Sequence, residues 1–289
     1  MKISFHSHDM SPEYLLWVYK KMTPNQSGIW KDMEAVTSPH KADVHIIIDD
    51  CHLKLPNRPR IYLGAHPPGT TSYGDIRSRR SDTIKVIDQS EELGFCEWWL
   101  KYDYDYLSNL ERETIEKDNL LTCILSDSND RPYHNIRRKY VEKLCRKKIL
   151  DNVYGRIKPF GFIEDCYRGE LGTFQYNQDA SDRYWFGKEE VLEKAWYSLE
   201  FDAYPTLNYI SERVFDSVLS WCIPLYWGST NIHEYLPEGS FYYIDAEGKG
   251  DDVLEIIREP IRDSALREAR DLMLNKYQLW PKIYEVLNR

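Results

Sequence analysis

Glu212 and Arg213 stand side by side at the start of an apolar helical repeat, within the stretch EFDAYPTLNYISERVFDSVLSWCIPLYWGSTNIHEYLPEGSFYYID that runs from Glu200 to Asp245. The run WYSLEF reads as a strand that ends in Asp202, and a polar loop follows it. ISERVFDSVLSW has apolar residues at helical spacing, so a helix opens near Asn208 to Ser211, with either residue able to act as its N-cap. Glu212 and Arg213 then occupy the first turn. Free N–H groups and the macrodipole make such a terminus attractive to phosphate. An Arg there can grip a diphosphate with its planar fork, and a Glu there can accept hydrogen bonds from ribose or sugar hydroxyls. IPLYW forms the next buried strand, closed by a Gly-Ser turn after Trp227. In open α/β sheets ligands bind beyond the carboxyl ends of strands, which is where this turn lies.

The elements that must carry these residues can be read around them. In the first half, KISFH (Lys2 to His6), ADVHIIID (Ala42 to Asp49), RIYL (Arg60 to Leu63) and DTIKVID (Asp82 to Asp88) read as strands. PEYLLWVYKKM has helical spacing, and the alternation predicts a doubly wound α/β unit. A polar, Tyr-rich stretch, KYDYDYLSNLERETIEKDN, separates this half from the next apolar run, LLTCILS. The boundary falls between about Asn109 and Leu120, which gives a domain over 1–115 and a second over 116–289. In the second half a strand, the loop SDSNDRPYHN and a helix with a basic face, IRRKYVEKLCRKK, come in turn. GFIEDCYRGELGTF reads as irregular. EEVLEKA reads as a helix, and the tail from Asp251 reads as helical with a break near Pro260 and Pro281.

Composition narrows the function. The 289 residues carry a net charge of −9, so a general nucleic-acid partner is not expected, because phosphate neutralisation needs a basic face. Any anionic ligand must be met by a few placed cations. No run of about 18 apolar residues predicts a membrane span, and the N-terminus lacks an apolar signal core. The six cysteines form no CxxC pair and several lie in apolar runs, as reduced core thiols of a cytoplasmic protein do.

The segment from Glu200 to Asp245 resembles the donor-binding motif of the α1,3/1,4-fucosyltransferase family (glycosyltransferase family 10), which runs F-E-N, a loop, Y-V-T-E-K, an apolar helix, I/V-P-I/V-Y-W-G, then I-P-x-x-S-F. The matching residues are Phe201-Asp202-Ala203, Tyr209-Ile210-Ser211-Glu212-Arg213, Ile223-Pro224-Leu225-Tyr226-Trp227-Gly228 and Leu236-Pro237-Glu238-Gly239-Ser240-Phe241. A second match pairs Ile124-Leu125-Ser126-Asp127 with Arg137-Arg138-Lys139-Tyr140. The resemblance implies a GT-B fold, with two Rossmann-like domains facing across a cleft: an N-terminal acceptor domain and a C-terminal domain for a nucleotide sugar. It implies donor contacts from Ser126, Arg137, Asp202, Asn208, Tyr209, Glu212 and Arg213, the two arginines meeting the diphosphate. It also implies inverting transfer of fucose from GDP-fucose to a carbohydrate hydroxyl, and C-terminal helices that fold back across the cleft. No cofactor is required and a divalent metal is not essential, since the arginines can neutralise the leaving group.

Departures from the pattern keep the donor open. Ala203 replaces the motif's Asn and Arg213 its Lys, so UDP-sugars such as UDP-xylose or a UDP-hexose remain alternatives. An inverting transfer needs a base for the acceptor hydroxyl. Where the family places a Glu, Gly64-Ala65-His66-Pro67-Pro68 offers His66, with Asp9, Asp75 and Glu97 as further candidates. Asp103-Tyr104-Asp105 spells the D-x-D of metal-dependent transferases, but short acidic matches arise easily in an acidic chain. His6 and His8 end the first strand, where acceptor contact or a metal pair could form. Trp98, Trp99 and Tyr102 to Tyr106 could make a sugar platform or pack a core, and Asp216 fits both the motif and helix packing. The expectation is a cytoplasmic enzyme of surface-glycan synthesis; a glycan-binding protein without catalysis is the rival from another class.

Overall fold

The computed structural model describes every residue except 9, 50, 52, 65–82, 88–91, 127–131, 151, 173, 176–182, 185–186, 203–204, 249–251 and 259–261. In chain order the first half contains β1 (Lys2–His6), α1 (Pro12–Lys20), β2 (Ile29–Trp30), β3 (Met33–Ala35), β4 (Val44–Ile48), β5 (Arg60–Leu63), β6 (Thr83–Ile87) and α2 (Tyr104–Asn109). The second half contains β7 (Asn119–Ile124), α3 (Pro132–Arg146), β8 (Asn152–Tyr154), α4 (Ile163–Cys166), β9 (Tyr167–Gly169), β10 (Phe174–Gln175), β11 (Arg183–Tyr184), α5 (Lys188–Leu192), β12 (Ala195–Phe201), α6 (Glu212–Leu219), β13 (Ile223–Trp227) and β14 (Tyr242–Tyr243). The helices α7 (Asp252–Ile256), α8 (Asp263–Leu272) and α9 (Leu279–Leu287) follow, with a π-helical stretch at Met273–Tyr277.

Two six-stranded sheets organise the molecule. The first runs β2-β3-β1-β4-β5-β6, parallel throughout except for the β2–β3 hairpin. Its parallel strands therefore follow a 2-1-3-4-5 order, with a switch point between β1 and β4. The second runs β14-β13-β12-β7-β8-β9 and is parallel throughout. Counted along the chain, that order is 3-2-1-4-5-6, with the switch point between β7 and β12. A reversal of this kind leaves a crevice at the carboxyl ends, because the two adjacent connections leave to opposite sides of the sheet.

The strands read from sequence form for the expected reason. β4 and β13 are buried at every position, as strands covered on both faces must be. α1 begins where Ser11 accepts a hydrogen bond from Tyr14 N at 3.2 Å with Pro12 at the first helical position. One expectation needs correction: the stretch read as irregular supplies α4 and β9, and β9 is the edge strand of the second sheet. With three residues, β9 is too short to show any periodicity.

The tail ties the halves together. Arg270 of α8 is buried over the Trp221 ring and donates to the carbonyls of Leu219 and Leu107, so it satisfies the end of α6 and holds α2. Gln278 then breaks the helix with extended backbone and donates to Met22 O at 3.0 Å. Pro281 lies in the first turn of α9, where its missing N–H costs nothing; Pro260 lies outside the described residues. Trp280 of α9 is fully buried beside Phe5, with ring centroids 5.6 Å apart, and donates to Tyr19 O at 2.9 Å. The chain's last helix thus belongs to the core of the first sheet. No helix among the described residues is long and apolar enough to cross a membrane.

Candidate functional site

A cleft opens at the switch point of the second sheet, lined by Ile124, Leu125 and Ser126 after β7, Gly155 and Arg156 after β8, and Glu212 and Arg213 of α6. Trp99, Leu171 and Lys188 complete the wall. Gly155 is required there: its φ is +116°, and a Cβ would drive into the Leu125 carbonyl. The loops after β7 and β8 can approach this closely only without a side chain.

Arg213 faces the cleft from the first turn of α6, with a long contact from Nη1 to Phe201 O at 3.4 Å. Burial works against its charge, but Glu212 and Glu200 more than offset this and hold it protonated. Arg137, on α3, is 3% exposed and donates from Nη2 to Ser126 Oγ at 3.1 Å and Ser126 O at 3.3 Å. It therefore stands directly behind a residue of the cleft wall. Burial, followed by the field of Arg213, lowers its pKa to about 10. The field of Arg213 thus disfavours the Arg137 charge, and Arg137 Nε is buried with no hydrogen-bond partner among the described residues.

The acids around these cations divide by environment. Burial opposes ionisation of Glu212, yet Arg213 and Lys188 keep it below the usual glutamate range. Glu200 lies beneath, accepts from Ser217 Oγ at 2.7 Å, and is pushed up to about 7 by burial. Asp202 is pushed to about 6 by the same cause; it accepts from Ser211 N at 3.1 Å and from the Tyr226 hydroxyl. Gly228 is forced by this arrangement, since a Cβ there would collide with the Tyr226 hydroxyl and the Asp202 carboxylate.

The sequence-predicted residues therefore separate. Ser126, Glu212 and Arg213 line the cleft, with Arg137 behind Ser126. Tyr209 lines an adjoining cavity that shares Glu212 as a wall. Asp202 and Asn208 are built into the frame. Asn208 has left-handed backbone (φ 64°), receives Asn231 Nδ2 at 2.8 Å and also accepts from the Tyr235 hydroxyl. Of the two N-cap candidates, Ser211 holds the position, but its hydroxyl makes no cap bond. His66 lies outside the described residues, as do Asp9, Asp75, Asp127 and Ala203. Asp103 caps α2 through Tyr106 N at 2.8 Å, and Asp105 accepts from Asn25 N at 2.5 Å, so both D-x-D carboxylates are engaged in local structure.

Sequence reasoning missed Lys188 and Arg156 and could not separate Trp98 from Trp99. Trp98 is core, 1% exposed, whereas Trp99 lines the cleft. Asp216, fully buried on α6, accepts Trp99 N at 2.7 Å and Lys188 Nζ at 2.7 Å, and Lys188 reaches Glu212 at 3.8 Å. Burial alone would discharge Lys188, but Asp216 and Glu212 keep its pKa raised. Nothing in the local pattern GKEEVLEKA marks this lysine.

Two six-stranded sheets of Rossmann type, with a crevice at the switch point of the second, make up the GT-B architecture. Over 100% of both chains the structure is similar to an alpha-glucosyltransferase in complex with UDP-glucose and DNA containing an abasic site, at 11% identity and a TM-score of 0.52. An alpha1,3-fucosyltransferase with GDP-fucose matches over 100% of this chain and 89% of that one, at 12% identity and a TM-score of 0.49. By sequence, the chain is similar to a putative fucosyltransferase-like protein of Arabidopsis thaliana, 24% identical over 171 residues. That match covers 58% of this chain and 28% of the relative, so the chain spans little more than a quarter of the relative's length. No protein-family model matches. The resemblance read from the Glu200 to Asp245 motifs agrees with the name that this relative bears.

Proposed function

We propose that the protein is a glycosyltransferase that binds a nucleotide diphosphate sugar in the switch-point cleft and transfers the sugar to a hydroxyl acceptor. The observation that carries this reading is Arg213 on the wall of a cleft bounded by the α6 N-terminus, with Arg137 of a second helix directly behind Ser126 of the same wall. In an acidic protein such a pair has a specific use: it neutralises the charge that builds on a departing diphosphate, and its preorganised donors need not reorient as the bond breaks. Glu212, kept ionised, accepts hydrogen bonds from ribose or sugar hydroxyls. Trp99 offers an aromatic face to the base or the sugar ring.

The finer reading is inverting transfer of fucose from GDP-fucose to a carbohydrate hydroxyl in surface-glycan synthesis in the cytoplasm. In it residues 1–115 serve the acceptor, 116–289 hold the donor, and no metal is needed. The motif spelling supports fucose; Ala203, in place of the motif's Asn, keeps UDP-sugars as the second reading. A thermal-shift panel with GDP, UDP, GDP-fucose, UDP-glucose and UDP-xylose tests both. A shift with GDP-fucose that is absent in Arg213→Ala supports the first, a shift with UDP-sugars alone selects the second, and no shift with any of them removes the donor reading.

A further inference from the structure

The residues between the two sheets form a rigid connector that carries a carboxylate the donor site does not use. Lys21, buried at the end of α1, donates to Trp98 O at 2.9 Å and Leu100 O at 3.0 Å. Cys96 N donates to Tyr277 O at 2.8 Å, Lys282 Nζ to Leu93 O at 3.0 Å, and Trp99 N to Asp216 at 2.7 Å. The segment from Leu93 to Leu100 is thereby pinned by α1, the C-terminal helices and α6 together. Glu97 sits in its middle and lines a small cavity with Phe95, Tyr209, Ser211 and Glu212. Glu212 is also a wall of the donor cleft, so the two spaces meet at one side chain.

We propose that Glu97 is the general base of the transfer and that the cavity it lines receives the acceptor hydroxyl; the proposal rests on the glycosyltransferase reading above. In the step, the acceptor oxygen forms a bond to the anomeric carbon while the bond from that carbon to the diphosphate oxygen breaks. The electron pair of the broken bond leaves with the diphosphate, and the hydroxyl proton passes to a Glu97 carboxylate oxygen.

The other buried acids near the cleft are poorly suited to this work. Glu212 is held ionised by Arg213 and Lys188, which makes it a weak base. Asp216 is spent on Lys188 and Trp99 N. Glu200 and Asp202 are bonded to Ser217, and to Ser211 and Tyr226, within the frame. Glu97 is different. Trp99 Nε1 donates to its Oε1 at 3.2 Å, which orients the carboxylate. The charged groups that face it are Glu212 of α6, Lys21 of α1 and Asp49 after β4. Burial first, with Glu212 and Asp49 adding and Trp99 and Lys21 opposing, pushes its pKa up to about 7. A base with that affinity is about half deprotonated at neutral pH and able to hold the proton it takes.

The experiment measures nucleotide release from GDP-fucose and UDP-glucose with water as acceptor, beside binding of the same nucleotide sugars by calorimetry. Glu97→Gln is expected to lower the release rate roughly 100- to 10,000-fold while nucleotide-sugar affinity stays within about twofold. The wild-type rate is expected to fall about tenfold per pH unit below pH 7, a limb that Glu97→Gln removes. Release by Glu97→Gln within about threefold of wild type overturns the assignment, as does a wild-type profile flat from pH 5 to 8. Loss of the limb in His66→Ala with its retention in Glu97→Gln overturns it too. Failure of the wild-type chain to bind any nucleotide sugar overturns the underlying reading and Glu97's role with it, whereas binding with an unaffected Glu97→Gln overturns Glu97's role alone.

Discussion

The two sheets share an architecture but not a chemistry at their switch points. At the second, between β7 and β12, the side chains that matter are charged: Arg137, Arg213, Glu212 and Lys188, with Glu200 beneath. At the first, between β1 and β4, a serine and two histidines cluster beside the buried Arg60. Ser4 Oγ lies 2.8 Å from His6 Nε2 and 2.9 Å from His45 Nδ1, and the two rings meet at 3.2 Å, all fully buried. Burial, then His45 and Arg60, lowers the His6 pKa to about 4, so the imidazole is uncharged at neutral pH. One scaffold thus carries cations and carboxylates at a cleft beside one switch point and a buried hydrogen-bonding cluster at the other. On the proposed function, a diphosphate suits the charged end, where Arg213 and Lys188 already have carboxylate partners.

The strongest way to break this contrast is to remove the acid that holds the charged end together. Asp216→Ala leaves Lys188 buried without its partner and frees the Trp99 backbone; a loss of about 3–5 kcal/mol in chemical denaturation is expected. A loss under about 1 kcal/mol would show that the network is dispensable. Next in size, Arg213→Ala should weaken nucleotide-sugar binding by about 2–4 kcal/mol, roughly 30- to 1000-fold, while His6→Gln leaves it within about twofold. Equal effects from both variants would erase the distinction between the two ends.

The pH dependence of stability sharpens it further, because the ends respond with opposite sign. His6 titrates lower folded than unfolded, so the unfolded chain takes up a proton first as pH falls. Its contribution is full above about 6.5 and is lost on the way down to about 4. Glu200 is raised to about 7 by burial, so its contribution is present below the ordinary carboxylate range near 4 and is lost as pH rises through 7. Melting temperature followed from pH 4 to 8 should show a shallower acid-side loss in His6→Gln and a shallower loss on raising pH in Glu200→Gln. Identical profiles in the two variants would contradict the assignment. The smallest effect expected is that of Ser4→Ala, about 1 kcal/mol of stability with nucleotide-sugar affinity unchanged, read from denaturation and calorimetry.

Much of the charged end was legible in the sequence. Arg213 and Glu212 follow from a helix start, and β12 and β13 from apolar runs. Arg137 and Ser126 came through a resemblance, which the structure turns into a 3.1 Å hydrogen bond. Lys188 was not legible, Trp99 stood only among several aromatics that could form a sugar platform, and Glu97 was one of several candidate bases with nothing local to single it out. Trp99 is 117 residues from Asp216 and Lys188 is 28 residues from it, and no local pattern records such a meeting. The histidine end was half seen: His6 was noted at its strand end, but its link to His45 depends on the β1–β4 register that sets Ser4 opposite His45.

What the sequence determined by itself is everything that neighbours along the chain can decide. Apolar runs make buried strands, a spacing of three and four makes a helix face, and an acid–arginine pair in a first turn faces whatever lies at that helix's start. Only the tertiary structure decided which carboxyl ends open into a crevice, that a tryptophan between the halves walls that cleft, and that the last helix packs against the first sheet. The reason is physical: a switch point exists only once strands distant in sequence have chosen their order, and a buried group's charge is set by what packs around it.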